Sequence, residues 1–241
     1  MSRAHFQRLQ NELAALITNT PPGERLPAEP ELARQLGVSR ATLREAMRAF
    51  EMQGLIHRRQ GAGTFVLERT PVLEAGLEVL ESLEKTARRF GLSIRVTHLQ
   101  IKQTRPDEEA RQALSLPQNA EVTCVRRVIC LAEHPAAYLV DILPLDVLRP
   151  QDLPSSFGGS VLDFLLERGE KLAVSKASIS ATLADSEIAH ALQIQRGDVL
   201  LLFTSQLFRR DGRVIDYSLS AFIPGYFRFH VLRRVAGSEQ G

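Results

Sequence analysis

The stretch from Leu26 to Val66 constrains this chain more than any other, because its residue spacing leaves room for essentially one local fold. Apolar residues recur at helical spacing in two short segments, about 28–36 and 40–53, with Leu32 and Leu36 in the first and Leu43, Met47 and Phe50 in the second. Gly37 ends the first segment, Val38 turns inward, and Ser39 is a good N-cap for the second. Pro30 falls in the first turn of its helix, where the missing N–H does no harm. Two helices joined by so tight a turn make a helix-turn-helix, with Leu32, Leu36, Val38, Leu43, Met47 and Phe50 as its small core. A further helix is predicted upstream over 3–18, from Phe6, Leu9, Leu13, Leu16 and Ile17, and the run Asn19 to Gly23 stops it. Downstream, two extended pieces at about 55–59 and 64–67 flank Gln60, Gly61, Ala62 and Gly63, the pattern of a β-hairpin wing.

This arrangement points at a polyanion. The start of a second helix in a helix-turn-helix is the end that enters a major groove, and here it carries Ser39, Arg40, Thr42 and Arg44. Arginine can bond guanine O6 and N7 together, whereas threonine can bond to phosphate or touch a thymine methyl. Arg58, Arg59 and Gln60 sit at the wing within reach of backbone or minor groove, and Gly61 and Gly63 would let its tip approach closely. The charge distribution leans the same way. Residues 1–70 hold ten Arg, no Lys and seven Glu, a balance of +3, within a chain of net +2.

Beyond a linker at about 68–71, leucines at 73, 77, 80 and 83 with Ala87 and Phe90 predict a helix over 73–90. From Gly91 the texture changes. Strands are predicted at 94–104, 121–132, 136–143, 172–184, 198–210 and 213–223, with helices at 107–115, 160–168 and 186–192, and Asp211-Gly212 marks a hairpin. The class is α+β, with an antiparallel or mixed sheet and flanking helices. Cys124 and Cys130 stand too far apart along one strand for an easy disulfide and are expected as buried free thiols. No apolar run is long enough to span a bilayer and no leader is evident, so a cytoplasmic location is expected. The six histidines are scattered without ligand spacing, so no metal is expected. Nucleophile elbow, P-loop, dinucleotide fingerprint and H-E-x-x-H are all missing, which argues against an enzyme and leaves no catalytic residues or cofactor to name.

The residues LPAEPELARQLGVSRATLREAM, followed by the wing QGAGTFV, resemble the GntR family of bacterial transcription regulators. The remainder resembles the UTRA effector domain of the HutC branch through SLPQNAEVTCVRR, HPAAYLVDILPL, GGSVLDFLLERG and DGRVIDYSLSAFIPGYFRFHV. The resemblance implies a winged helix-turn-helix over 1–69, a linker and connecting helix over 70–90, and an effector-binding and dimerisation domain over 91–241. It implies a homodimeric regulator, in the first instance a repressor, bound to pseudo-palindromic double-stranded operator DNA and released by a small molecule. A ligand-dependent activator or an effector-independent DNA-binding protein are the alternatives. Carried over by position, Arg40 and Arg44 would be the main groove contacts, although Pro30 and Ala41 depart from the family pattern. In the effector domain Arg127 matches the first of a family arginine pair, but the second falls on Ile129. The usual glutamate falls on Leu139, with Asp141 two residues on. Ser160 matches a helix-opening serine, while Leu219, Phe222 and Gly225 replace polar positions. The implied pocket residues are Arg127, Tyr138, Asp141, Ser160 and Tyr217, each of which could instead be an ordinary sheet-pairing residue. Such a pocket suits a ligand with a substantial apolar part and at most one anionic group.

Overall fold

Leu9, Leu13 and Ile17 of the first helix, α1 (Arg3–Asn19), close over Leu32 of α2 (Glu29–Gln35) and over Leu43, Met47 and Phe50 of α3 (Arg40–Met52). These seven side chains are all buried, and the spacing of three and four between them places each set on one helical stripe. The computed structural model describes residues 3–59, 62–67, 72–155 and 157–233. The α2–α3 turn depends on Gly37, whose φ of +64° is costly for any residue with a Cβ, and on the Val38 N–H, which donates to Ala33 O at 2.9 Å. Ser39 then caps α3 by accepting the Thr42 N–H at 3.1 Å. The wing strands β1 (Ile56–Arg59) and β2 (Gly63–Val66) pair antiparallel, and Ile56 and Val66 turn into the helical core. This core belongs to the first of two compact units, residues 1–72 with 224–226.

The second unit, residues 73–223 with 227–241, is built on a six-stranded antiparallel sheet. In chain order its elements are β3 (Leu73–Gly76), α4 (Leu83–Arg89), β4 (Ile94–Thr104), α5 (Glu108–Ala113), β5 (Val122–Leu131), β6 (His134–Pro144), α6 (Val161–Glu167), β7 (Leu172–Leu183), α7 (Ser186–Leu192), β8 (Val199–Arg209), β9 (Val214–Phe222) and β10 (Phe227–His230). The large sheet runs β4-β5-β6-β9-β8-β7. Its central strands β5 and β6 are buried nearly throughout, which explains why they read as continuous apolar runs without alternation. One face packs against α6, where Val125 and Leu143 of the sheet meet Val161 and Leu165. Helices α5 and α7 are tied to the tyrosines of the other face: the Tyr217 hydroxyl donates to Glu109 and the Tyr138 hydroxyl to Glu187, both at 2.6 Å. Both cysteines are free and buried. Among the described residues no helix is long and apolar enough to cross a membrane.

The continuous helix expected over 73–90 is absent. Residues 73–76 form β3, which pairs in parallel with β10, and only 83–89 are helical. Burial decides the matter: Leu73 and Ala75 alternate inward with period two, whereas Leu77 and Leu80 are exposed. The helix begins only where Ser82 can cap it, accepting the Lys85 N–H at 3.2 Å.

Candidate functional site

The N-terminal end of α3 gathers the polar residues singled out above. Ser39 Oγ and Thr42 Oγ1 lie 2.8 Å apart, so two hydroxyls cap the helix start, where unpaired backbone N–H groups and the helix dipole favour a phosphate. Arg40 and Arg44 are both exposed on this helix. Arg44 is held in place, because its Nε donates to Glu29 Oε2 of α2 at 2.7 Å. The other oxygen of Glu29 lies 3.5 Å from Arg58 Nε, and Arg58 Nη2 is 3.6 Å from Glu51. One carboxylate therefore sits between the recognition helix and the wing and steadies an arginine of each. Arg59 lies over the Phe65 ring, 5.6 Å from its centroid. At the wing Gly63 has φ +114°, a conformation costly for any residue with a Cβ, and the Arg25 guanidinium packs close enough that a Cβ would displace it. Gln60 and Gly61 lie outside the described residues.

The Glu29 clamp gives a direct expectation. Glu29→Gln removes a negative charge and frees two arginines, so binding to random duplex should tighten. The slope of log affinity against log salt should steepen by up to about one phosphate contact. Fluorescence anisotropy at several salt concentrations measures both; an unchanged slope would show that neither arginine is restrained from phosphate by Glu29.

The residues expected at an effector pocket are distributed over both faces of the second unit's sheet. Side chains alternate along a strand and paired residues share a face. Arg127 pairs with Leu139, Leu139 with Ser220, and Ser220 with Phe203. In the neighbouring row Asp141 pairs with Ser218, and Ser218 with Ser205. All of these lie on the α6 face. Tyr138 and Tyr217 lie on the opposite face, with Arg126 and Glu187. There Arg126, Tyr138, Glu187 and Cys124 line a cavity of about 400 Å³ whose remaining walls are largely apolar. Arg126 Nη1 donates to Glu187 at 3.0 Å, and Glu187 also receives the Tyr138 hydroxyl. Burial and that carboxylate hold the Tyr138 phenol well above its ordinary value, so it is a neutral donor.

On the α6 face the chemistry is denser. Arg127 is 5% exposed and its Nη1 donates to Asp141. Asp216 of β9 is buried beside them, and burial next to the Asp141 carboxylate pushes its own carboxyl well above the usual range. Glu84 of α4 is raised as well, mainly by burial. Arg127 is raised, its burial outweighed by Asp141 and then Glu84 and Asp216. The capping serines tie the helices to this centre: Ser160 accepts the Asp163 N–H at 3.1 Å, and Ser82 Oγ donates to Asp163 at 2.7 Å. Lys85 Nζ lies 2.7 Å from the same carboxylate. Sequence reasoning singled out Arg127, Asp141 and Ser160 from this cluster and missed Ser82, Glu84, Asp163 and Asp216. Asp216 was the most legible of these, as a lone acid inside the apolar run Val214 to Tyr217.

Residues 6–66 match the family model of bacterial regulatory proteins of the gntR family, and residues 90–228 match the UTRA domain model, more than half of the chain. The protein is a GntR-family regulator with a UTRA domain. Its curated relatives include the HTH-type transcriptional repressor NagR of Bacillus subtilis, 25% identical over 96% of both chains. The mannosyl-D-glycerate transport/metabolism system repressor MngR of Escherichia coli is 26% identical over 90% of each. Among solved structures, PhnF from Mycobacterium smegmatis superposes with a TM-score of 0.64 at 22% identity, covering 94% of this chain and 99% of its own, which establishes a shared fold. This GntR regulator therefore binds DNA through its helix-turn-helix, is not an enzyme, and carries a domain of the effector-binding class.

The α6-face cluster makes the regulator's stability depend on pH. Glu84 and Asp216 hold their protons more tightly folded than unfolded. The stability they confer is complete below about pH 4, the unfolded carboxylate range, and is lost as pH rises through their raised folded values. Asp216→Asn should flatten that decline in thermal melts of the full chain between pH 5 and 8; an equally steep decline in the variant would place its origin elsewhere.

Proposed function

We propose that this regulator is a cytoplasmic homodimeric repressor. Residues 1–69 read a pseudo-palindromic operator, residues 91–241 bind the effector and hold the dimer, and residues 70–90 connect them. The observation that carries the operator reading is the concentration of Ser39, Arg40, Thr42 and Arg44 on the capped, exposed start of α3, with Arg58 and Arg59 on the adjacent wing. Symmetry supports the palindrome: two heads related by a two-fold axis meet half-sites about 34 Å apart, and one head alone would bind too weakly to discriminate. Apolar side chains support self-association, since Val174, Ile179 and Leu183 of β7 are exposed along an edge strand with Val199 beside them on β8.

The effector site we assign to the α6 face, where Arg127, Asp141 and Ser160 lie among Ser82, Glu84 and Asp216. Effector binding there would favour a dimer whose heads no longer fit both half-sites. Coupling of about 1–3 kcal/mol would lower operator affinity roughly 5–150-fold, and operator would weaken effector binding by the same factor. Sedimentation of the full chain with and without a selected operator duplex tests the assembly. Two chains per duplex is the expected stoichiometry, and one chain per duplex at saturation would refute the dimer.

A further inference from the structure

We infer that the group recognised at the α6 face is a cation: an ammonium, amidinium or protonated heteroaromatic nitrogen carried on an apolar body. This deepens the effector reading and rests on it. The first ground is that buried acids converge here on one buried cation. Three acids, Glu84, Asp141 and Asp216, converge from α4, β6 and β9 on a single guanidinium, Arg127. Arg127 donates to Asp141. Asp163 of α6, which also faces Glu84, pairs with Lys85 of α4. An anionic ligand would have to take Arg127 from Asp141 and leave that carboxylate buried and unpaired, whereas a cation would supply the counter-charge that lets Glu84 and Asp216, held protonated by burial, ionise.

The second ground is independent of charge counting. Asp216 is 6% exposed, and among the described residues its Oδ1 has no hydrogen-bond partner, nor has the buried Glu84 Oε1. Buried acceptors left open are rare and costly, and they ask for an N–H donor. One donor, Arg127 Nε, is likewise open, and the Glu84 and Asp216 carboxyls become acceptors only once a cation replaces their protons. The third ground is the neighbouring surface. Ser205, Ser218 and Ser220 are partly exposed on the same face, and the row through Arg127 continues to Leu139 and Phe203. Phe203 packs on Phe222 and Phe229 at centroid distances of 5.3 and 4.5 Å, giving an aromatic wall suited to the ligand body and to a cation.

Binding then exchanges one cation for another. A carboxyl of Glu84 or Asp216 gives up its proton to solvent, and the carboxylate that remains accepts N–H bonds from the ligand. Titration calorimetry of the full chain with benzylamine, benzamidine, benzyl alcohol and benzoate, at millimolar concentration and constant ionic strength, tests this with ring size held fixed. The two cations are expected to bind about tenfold more tightly than the alcohol, with benzoate weakest, and to release protons into the buffer. Glu84→Gln and Asp216→Asn should each remove most of that preference, and the first, on a helix, guards against misfolding of the second. Preference for benzoate or the alcohol, sensitive to the same substitutions, would overturn the cation and leave an effector site on this face. No binding by any probe to the folded chain would overturn both.

Discussion

Arg127→Met should destabilise the regulator by about 3–5 kcal/mol at pH 8, the usual cost of removing one member of a buried ion pair. The pair is well sealed, with side chains 5% and 12% exposed, so solvent does little to screen the charge left behind. The loss arises because the Asp141 carboxylate is left buried without its cation. Arg127→Met combined with Asp141→Leu should recover much of the stability, because apolar replacements of a whole buried pair are commonly neutral. Chemical denaturation of the three proteins at pH 8 measures this. A single variant as stable as wild type at pH 8 would mean that the guanidinium neutralises nothing important.

Arg44→Ala should weaken specific operator binding by about 1–3 kcal/mol, some 5–150-fold, and relax selectivity at one base pair of each half-site. The pairing of Arg44 with Glu29 does not oppose this. Arg44 is 59% exposed, and an ion pair of that kind is worth about 0–1 kcal/mol, less than a bidentate contact to guanine. The Glu29 pair therefore releases the arginine at small cost. Arg40→Ala should behave similarly, while binding to random duplex should fall only slightly in either variant. An equal loss on operator and random DNA would make both arginines phosphate contacts.

How far sequence carries depends on the range over which the deciding contacts act. The helix-turn-helix was legible because caps, turn glycine and apolar stripe all lie within a few residues of what they control, and α1, α2, α3 and the wing follow from them. The strands of the large sheet were legible from apolar runs and from the Asp211-Gly212 turn. Residues 73–76 were not, because β3 is fixed by pairing with β10 some 150 residues later, while its leucines imitate helical spacing with those at 77, 80 and 83. The effector cluster was half legible for a related reason. Family position indicated Arg127, Asp141 and Ser160, but the face on which a strand residue lies depends on parity and register. Tyr138 and Asp141 are three apart and so point to opposite faces. Glu84 and Asp163 join the centre only because α4 and α6 meet through Ser82, a contact across 81 residues that no local pattern encodes.

Whether α3 and the wing read a symmetric operator is tested most directly by selection of the full chain against random double-stranded DNA, with Arg44→Ala carried through in parallel. The expected result is one enriched site with two-fold symmetry, its half-sites about one helical turn apart, and loss or blurring of that enrichment for the variant. Weak, salt-sensitive binding with no enriched sequence, the same for wild type and variant, would contradict it.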